Sequence, residues 1–468
     1  MKPNILWITL ESARSDHTSM GGDRNTTPFL EQLVSDYRGA WFENCFAHGR
    51  WTPAASGSIL TGTRLSTHRV GLESSATVEK LPTELSTIPE LLGDVGYRTG
   101  GFSGNPYVSE RTELNRGFET FFGPVDKSDF LSRTGIATAA SYLRRVRSRG
   151  SALDTNPGRH KPCLPPLYHC ESFKNWIDTD VGEDPFFAYF HLNNVHHPYT
   201  PPLSLLEAEL DGDVLSPVEA IELAAEITDN RWQVMADGCN LSPMHRRALE
   251  ATYRAELTYA DRIVEEVFRH AHRQNRELCV VITGDHGELF GEGGVIGHNL
   301  VLHDKLLNVP LVTYGLETGS AATTDLVQHA DVATALLNSV GAETSQFQAI
   351  DFTEQRREYV VAERGARPTD LEKLRDRNPE FDTEQFHTEQ MAMIRSHEWK
   401  YQRSVHREEL FELPNERENR ITDEPQRAAT LRRALEDHLA SKTMAIKRRE
   451  RMTADEGTTR RLEHLGYL

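Results

Sequence analysis

The stretch ELCVVITGDHGELFGEGGVIGHN, residues 277–299, opens as an apolar run rich in β-branched residues and then breaks into glycines. A short apolar run of this kind suits a strand buried on both faces, as in a parallel sheet. Glycine tolerates the bends that bring a strand end close to a ligand. Asp285 and His286 stand where the bend begins. Side by side there, they can aim a carboxylate oxygen and an imidazole nitrogen at one shared ion. Taken alone, the pair equally fits a turn in which Asp285 caps the loop.

Working outward, NILWITLES (4–12) reads as a second buried strand, with Glu11 and Ser12 at its carboxyl end. PFFAYFHLNNVHHPY (185–199) is a third, running into a polar loop, and NVPLVTYG (308–315) a fourth. Helical patterns lie between them: 26–37 with Thr27 as cap and Pro28 at the first position, 242–274, and 329–341 closed by Gly341. Residues 86–107 read as helix, turn at Gly96 and strand. This alternation predicts an α/β fold with a doubly wound, mixed but mostly parallel sheet flanked by helices. Ligands bind beyond the carboxyl ends of such strands. Glu11–Ser12, Asn193 to His197 and Asp285–His286 all fall there.

After about residue 345 the pattern changes. MAMIRSHEWKYQRS (391–404) and EELFEL (408–413) read as antiparallel strands, and 425–441 as a helix. Residues 364–390 are charged and poor in apolar side chains, which predicts a long surface loop. The expected division is a catalytic domain over 1–345, a small antiparallel-sheet subdomain over 346–440, and a charged tail over 441–468. That tail is either mobile or an arm on a neighbouring copy, so a homo-oligomer stays open.

The 468 residues carry a formal charge of −18, which leaves no basic excess for phosphate backbones and argues against nucleic acid as a partner. The five cysteines show no CxxC spacing, so neither a thiolate zinc site nor a disulfide framework is indicated. No apolar run approaches the length of a membrane span, and a strand starting at Asn4 leaves no room for a signal peptide. A cytoplasmic location is the expectation.

GRWTPAASGSILTG (49–62) places small residues at a helix entrance with one hydroxyl, Thr52, at its mouth. Helix N-termini attract anions through unpaired N–H groups and a positive partial charge. Thr52 followed by proline also fits an ordinary N-cap. Two carboxylates, an imidazole and a hydroxyl oxygen suit Mn²⁺, Zn²⁺, Mg²⁺ or Ca²⁺. Binding to such an ion would turn a weakly nucleophilic threonine into an alkoxide.

Seven pieces then occur in a familiar order: PNILWITLESARSDH, NTTPFLEQL, WTPAASGSILTG, GYRTGGFSGNPY, NNVHHPYTPP, ITGDHGELFGEGGVIGH and NVPLV. Together they resemble the sulfatase family of the alkaline phosphatase superfamily, and HEWKYQRS with EELFEL resembles its C-terminal strand pair. The resemblance implies an alkaline-phosphatase-like core and ester hydrolysis. It also implies one divalent metal ion held by Glu11, Asp285, His286 and Thr52. His196 matches a family histidine that contacts the transferred group or the leaving group, and His298 a position held by lysine or histidine. Asn105 falls near the cationic residues with which sulfatases hold sulfate, where it would bind substrate by hydrogen bonds.

Two departures matter. Sulfatases oxidise a cysteine or serine in a C-x-P-S-R motif to formylglycine; Thr52 occupies that position here and the arginine is missing. Glu11 replaces the first-strand aspartate. The Glu11, Thr52, Asp285 and His286 set looks more like that of lipoteichoic acid synthases and phosphoethanolamine transferases. The leading expectation is therefore a metal-dependent hydrolase of phosphate or phosphonate esters with Thr52 as nucleophile. The substrate would be a small molecule, a glycan ester or a lipid-headgroup ester. A sulfatase working without formylglycine, a phospho-group transferase and a non-catalytic binding module are the alternatives.

Overall fold

The computed structural model describes residues 1–72, 78–124, 164–212, 214–441, 446 and 450–452. The strands in chain order are β1 (Asn4–Leu10), β2 (Ala40–Trp41), β3 (Asn44–Phe46), β4 (Arg98–Ser103), β5 (Thr120–Phe122), β6 (Phe186–Leu192), β7 (Leu278–Gly284), β8 (Leu289–Phe290) and β9 (Ile296–Gly297). They continue with β10 (Asn308–Val309), β11 (Leu311–Tyr314), β12 (Leu326–Gln328), β13 (Val360–Arg364), β14 (Met391–Arg395), β15 (Trp399–Arg403) and β16 (Glu408–Glu412). A seven-stranded sheet runs β2-β11-β7-β1-β6-β4-β5. Its core is parallel; on one side β11 runs antiparallel to β7, and β2 runs antiparallel to β11. All seven residues of β1, of β6 and of β7 are buried, as their predominantly apolar runs predict.

The main helices are α1 (Pro28–Ser35), α2 (Thr52–Thr61), α3 (Ile88–Asp94), α4 (Leu164–Trp176), α5 (Pro243–His272), α6 (His329–Ser339), α7 (Pro368–Arg377) and α8 (Pro425–Ala440). One helix layer assembles around α5, which packs on α1 and α4; another assembles around α2, which packs on α3 and α6. Asp261 of α5 accepts the Phe29 and Leu30 amides at 2.8 and 3.0 Å, satisfying two orphan N–H groups at the start of α1. All ten residues of α2 are buried, and Gly62, at φ 65°, ends it in the left-handed conformation.

The four-stranded sheet β13-β14-β15-β16 is antiparallel throughout. Its two-residue alternation divides the side chains between two cores. Val360, Ala362, Met391 and Met393 join the main core, whereas Val361, Ala392 and Ile394 pack with Leu431 and Leu435 of α8. The C-terminal sheet is thus buried on both faces and joined directly to the larger core.

Three expectations need correction. Residues 364–390 are not one loop: α7 forms there, with Leu371 and Leu374 buried among its charges. The run 308–315 is split by Pro310, so that β10 pairs with β3 while β11 joins the large sheet. Most of 441–468 lies outside the described residues, but Lys80 N donates to Glu450 O and Met452 N to Val78 O, both at 2.8 Å. That piece of the expected tail is therefore bound to the body. No helix among the described residues is long and apolar enough to cross a membrane.

Candidate active site

Glu11 follows β1, Asp285 and His286 follow β7, and Thr52 opens α2; all four side chains are at most 1% exposed. Thr52 Oγ1 donates to Glu11 Oε1 at 3.0 Å and lies 3.3 Å from His286 Nε2. Asp285 Oδ1 accepts the backbone N–H of Ser12 at 3.0 Å and that of His286 at 2.9 Å, tying the ends of β1 and β7 together. His286 Nδ1 donates to Gly287 O at 2.8 Å, which orients the ring with Nε2 on the Thr52 side. The sequence places these residues at strand ends; in the fold Thr52 touches both Glu11 and His286, and Asp285 is held beside them through the backbone of Ser12 and His286.

Thr52 is the first helical residue rather than the cap. Trp51, extended at φ −152° and ψ 161°, occupies the cap position. The Thr52 hydroxyl therefore turns to Glu11 instead of back onto the helix, and the first-turn N–H groups keep their positive field.

Around Glu11 the structure adds residues that the sequence did not mark. Burial works to raise the Glu11 carboxyl, but a hydrogen bond from His191 and the charges of His196, His191 and His286 pull it down to about 2. His191 Nε2 lies 3.3 Å from Glu11 Oε2, and its Nδ1 lies 3.3 Å from the Tyr189 hydroxyl. His191 is inside β6, where Thr9 is its register partner on β1. A polar residue in an otherwise apolar buried strand was the available signal. Asn105 Nδ2 donates to Glu11 Oε1 at 2.6 Å while its Oδ1 accepts Tyr107 N at 2.8 Å. Asn105 thus holds Glu11 in place.

His196, His197 and His298 form a second cluster whose ligand nitrogens all lie within 4.8 Å of one another. The His298 and His286 rings are 4.6 Å apart, which joins this cluster to the first. Burial pushes His298 well below the usual histidine range and keeps it neutral. Its Nδ1 lies 3.0 Å from Glu288 Oε1. Burial also drives Glu288 up to about 7, against the pull of His196, His286, Arg231 and Arg14. Glu288 is a further residue that the sequence reading passed over, two positions beyond His286 in the glycine-rich loop.

The donor chemistry fits a divalent cation: two carboxylates, an imidazole and a hydroxyl, with one carboxylate oxygen uncommitted. Asp285 Oδ2 is buried and makes no hydrogen bond among the described residues. A buried carboxylate oxygen in that state is costly unless a cation completes it.

Comparison with known proteins identifies the family and the fold. The sulfatase family model matches residues 3–342. This chain belongs to the sulfatase family, a family of ester hydrolases that generally use a divalent metal ion. The fold is shared with the phosphonate monoester hydrolase of Agrobacterium radiobacter, at 18% identity and a TM-score of 0.70, covering 94% of this chain and 96% of that one. It is also shared with a phosphonate monoester hydrolase from Silicibacter pomeroyi (18%, TM-score 0.63, 94% of each chain). A 2-O GAG sulfatase is similar too (17%, TM-score 0.66, 94% of this chain and 93% of that one). No curated protein matches.

Proposed function

We propose that the protein hydrolyses phosphodiesters or phosphonate monoesters, with Thr52 as the nucleophile. The hydroxyl at the positive end of α2, hydrogen-bonded to Glu11 beside His286, carries this reading. Formylglycine sulfatases release sulfate by elimination from a carbon bearing two hydroxyls, which threonine does not provide. A phosphothreonine opens instead by attack of water at phosphorus.

Glu11, Asp285, His286 and Thr52 would hold one divalent ion, Mn²⁺, Zn²⁺, Mg²⁺ or Ca²⁺. When bound it supplies a lowered hydroxyl pKa and neutralisation of charge at the transferred group. Thr52 Oγ1, its hydroxyl oriented by Glu11, attacks phosphorus in line; its proton passes to solvent, which returns one to the departing oxygen. The bond to the leaving oxygen breaks on the opposite side, where His196 and His298 face the departing group. Water then attacks the phosphothreonine, and Thr52 leaves with a proton restored. Asn105, neutral where sulfatases place cations, suits a singly charged diester better than a phosphate dianion.

The test is a panel of aryl phosphodiesters, phosphonate monoesters, phosphate monoesters and sulfates assayed with metal-loaded protein. Diesters and phosphonates should lead in kcat/KM. Aryl sulfates turned over faster than every phosphoryl compound would move the protein to sulfate-ester hydrolysis.

A further inference from the structure

Three guanidinium groups lie buried together beside the entrance to α2. Arg50 and Arg364 are each 1% exposed and Arg367 is 4% exposed. Arg50 precedes Thr52 by two residues, Arg364 ends β13, and Arg367 stands just before α7. The Glu363 amide, which donates to His48 O at 3.1 Å, sets β13 against the segment leading to Thr52. Trp51 is the shared wall: the guanidinium carbons of Arg50 and Arg367 lie 5.6 and 5.3 Å from its ring centroid.

None of the three has a carboxylate partner among the described residues. Arg364 donates only to the carbonyls of Gly365, Glu389 and His387. Arg50 donates to His298 O and to Asn299 Oδ1, both neutral. Arg367 is held by its stack on Trp51, and its Nε and Nη2 are buried without a hydrogen bond. Asp370 is the one acid acting on all three, and it acts only through space. Other buried arginines have carboxylates, as Arg14 has Asp16 and Glu292 and Arg254 has Glu209, while Arg64 is met by the carbonyls of His438 and Ser441. Arginine cannot shed its proton at neutral pH, so three such charges facing one carboxylate that bonds none of them are costly without an incoming anion. Burial lowers Arg367, and Arg364 to about 9, which still leaves Arg364 protonated at neutral pH.

We infer that Arg50 and Arg367, in the field of Arg364, bind a second anionic group of the substrate, a phosphate, sulfate or carboxylate carried beyond the scissile ester. This rests on the reading of Thr52 as the reacting residue only for its location; the binding itself does not need the chemistry. The guanidinium fork matches oxyanion geometry, and the Trp51 face fixes the plane of Arg367. The C-terminal sheet thereby contributes to substrate choice through its first strand.

Binding can be read apart from turnover by calorimetry with benzene-1,3-disulfonate as the probe and benzene-1,3-disulfonamide as its neutral counterpart. Wild type and Thr52→Ala should bind the disulfonate saturably and ignore the disulfonamide. Arg367→Met should weaken binding at least tenfold, and Arg367→Lys by less. No saturable binding to wild type, equal binding of the neutral compound, or full affinity in folded Arg367→Met would each overturn the proposal. A second arm compares 4-nitrophenyl phosphonates with and without a sulfonate on the phosphorus-bound arm. Wild type should favour the sulfonated compound about tenfold in KM, and Arg367→Met should bring the ratio close to one; an unchanged ratio counts against the site. Disulfonate binding without phosphoryl turnover would sink the proposed activity and leave the anion site standing.

Discussion

The Thr52 hydroxyl donates to Oε1 of Glu11 across 3.0 Å, joining the first turn of α2 to the carboxyl end of β1. A side chain at a helix start usually turns back to cap its own helix. This one reaches a carboxylate on the central strand, and the predictions about chemistry start from that contact.

Replacing Thr52 with alanine should lower kcat on an aryl phosphonate monoester by about a thousandfold or more, as loss of a nucleophile does. Thr52→Ser keeps the hydroxyl and should retain measurable turnover. Intact-mass analysis of quenched wild type should show a phosphoryl adduct on the peptide containing Thr52. Full activity in Thr52→Ala would mean that water attacks directly.

Asp285→Asn keeps the shape of the side chain but removes its charge and one of its buried acceptor oxygens. Affinity for Mn²⁺, measured by titration with elemental analysis, should fall roughly 10–100-fold. Activity should return in part at high metal concentration. Unchanged metal content at limiting Mn²⁺ would remove Asp285 from the donor set.

Gly57 sits within α2, where alanine would ordinarily favour the helix. Here an added Cβ would lie 2.5 Å from a ring carbon of His68, whose Nε2 is 3.0 Å from Ser58 Oγ. Gly57→Ala should therefore destabilise the protein by about 1–3 kcal/mol through overpacking. A thermal melt decides it, since a raised Tm would show that the His68 ring moves aside freely.

Glu409 lies away from the site. Burial works to raise its carboxyl, but hydrogen bonds from His387, at 2.9 Å, and Gln402 hold it near 2. A carboxyl lowered by folding stabilises the fold above its unfolded value, about 4.5, and loses that contribution as pH falls towards 2. The Tm gap between wild type and Glu409→Gln should be widest at pH 6 and should close between pH 4.5 and 2. A gap constant across that range would assign the effect to packing.

The parts legible in the sequence were those with a local pattern. Buried strands with polar ends located Glu11, Asp285 and His286, and small residues after Thr52 located α2. His191 left only the trace of a polar residue in an apolar strand, its role coming from register, and Glu288 left none, its role coming from a loop folding back. Helix α7 was hidden because Leu371 and Leu374 are its only buried apolar residues amid charge. Arg50 meets Arg364 and Arg367 only in three dimensions, more than 300 positions apart in the chain.

The placement of β1 between β6 and β7 also bears on how the chain is made. Asn4 Oδ1 accepts the amide of Phe186, 182 positions later, and the partner on the other side begins at Leu278. At roughly 5–20 residues per second, β1 leaves the ribosome on the order of ten seconds or more before its first neighbour exists. During that interval a largely apolar strand has both edges open, and long-range parallel pairing of this kind is slow to form. Heterologous production should be sensitive to chaperone supply and growth temperature for that reason. Soluble yield is then governed by the waiting time of the first strand, whatever the stability of the finished fold.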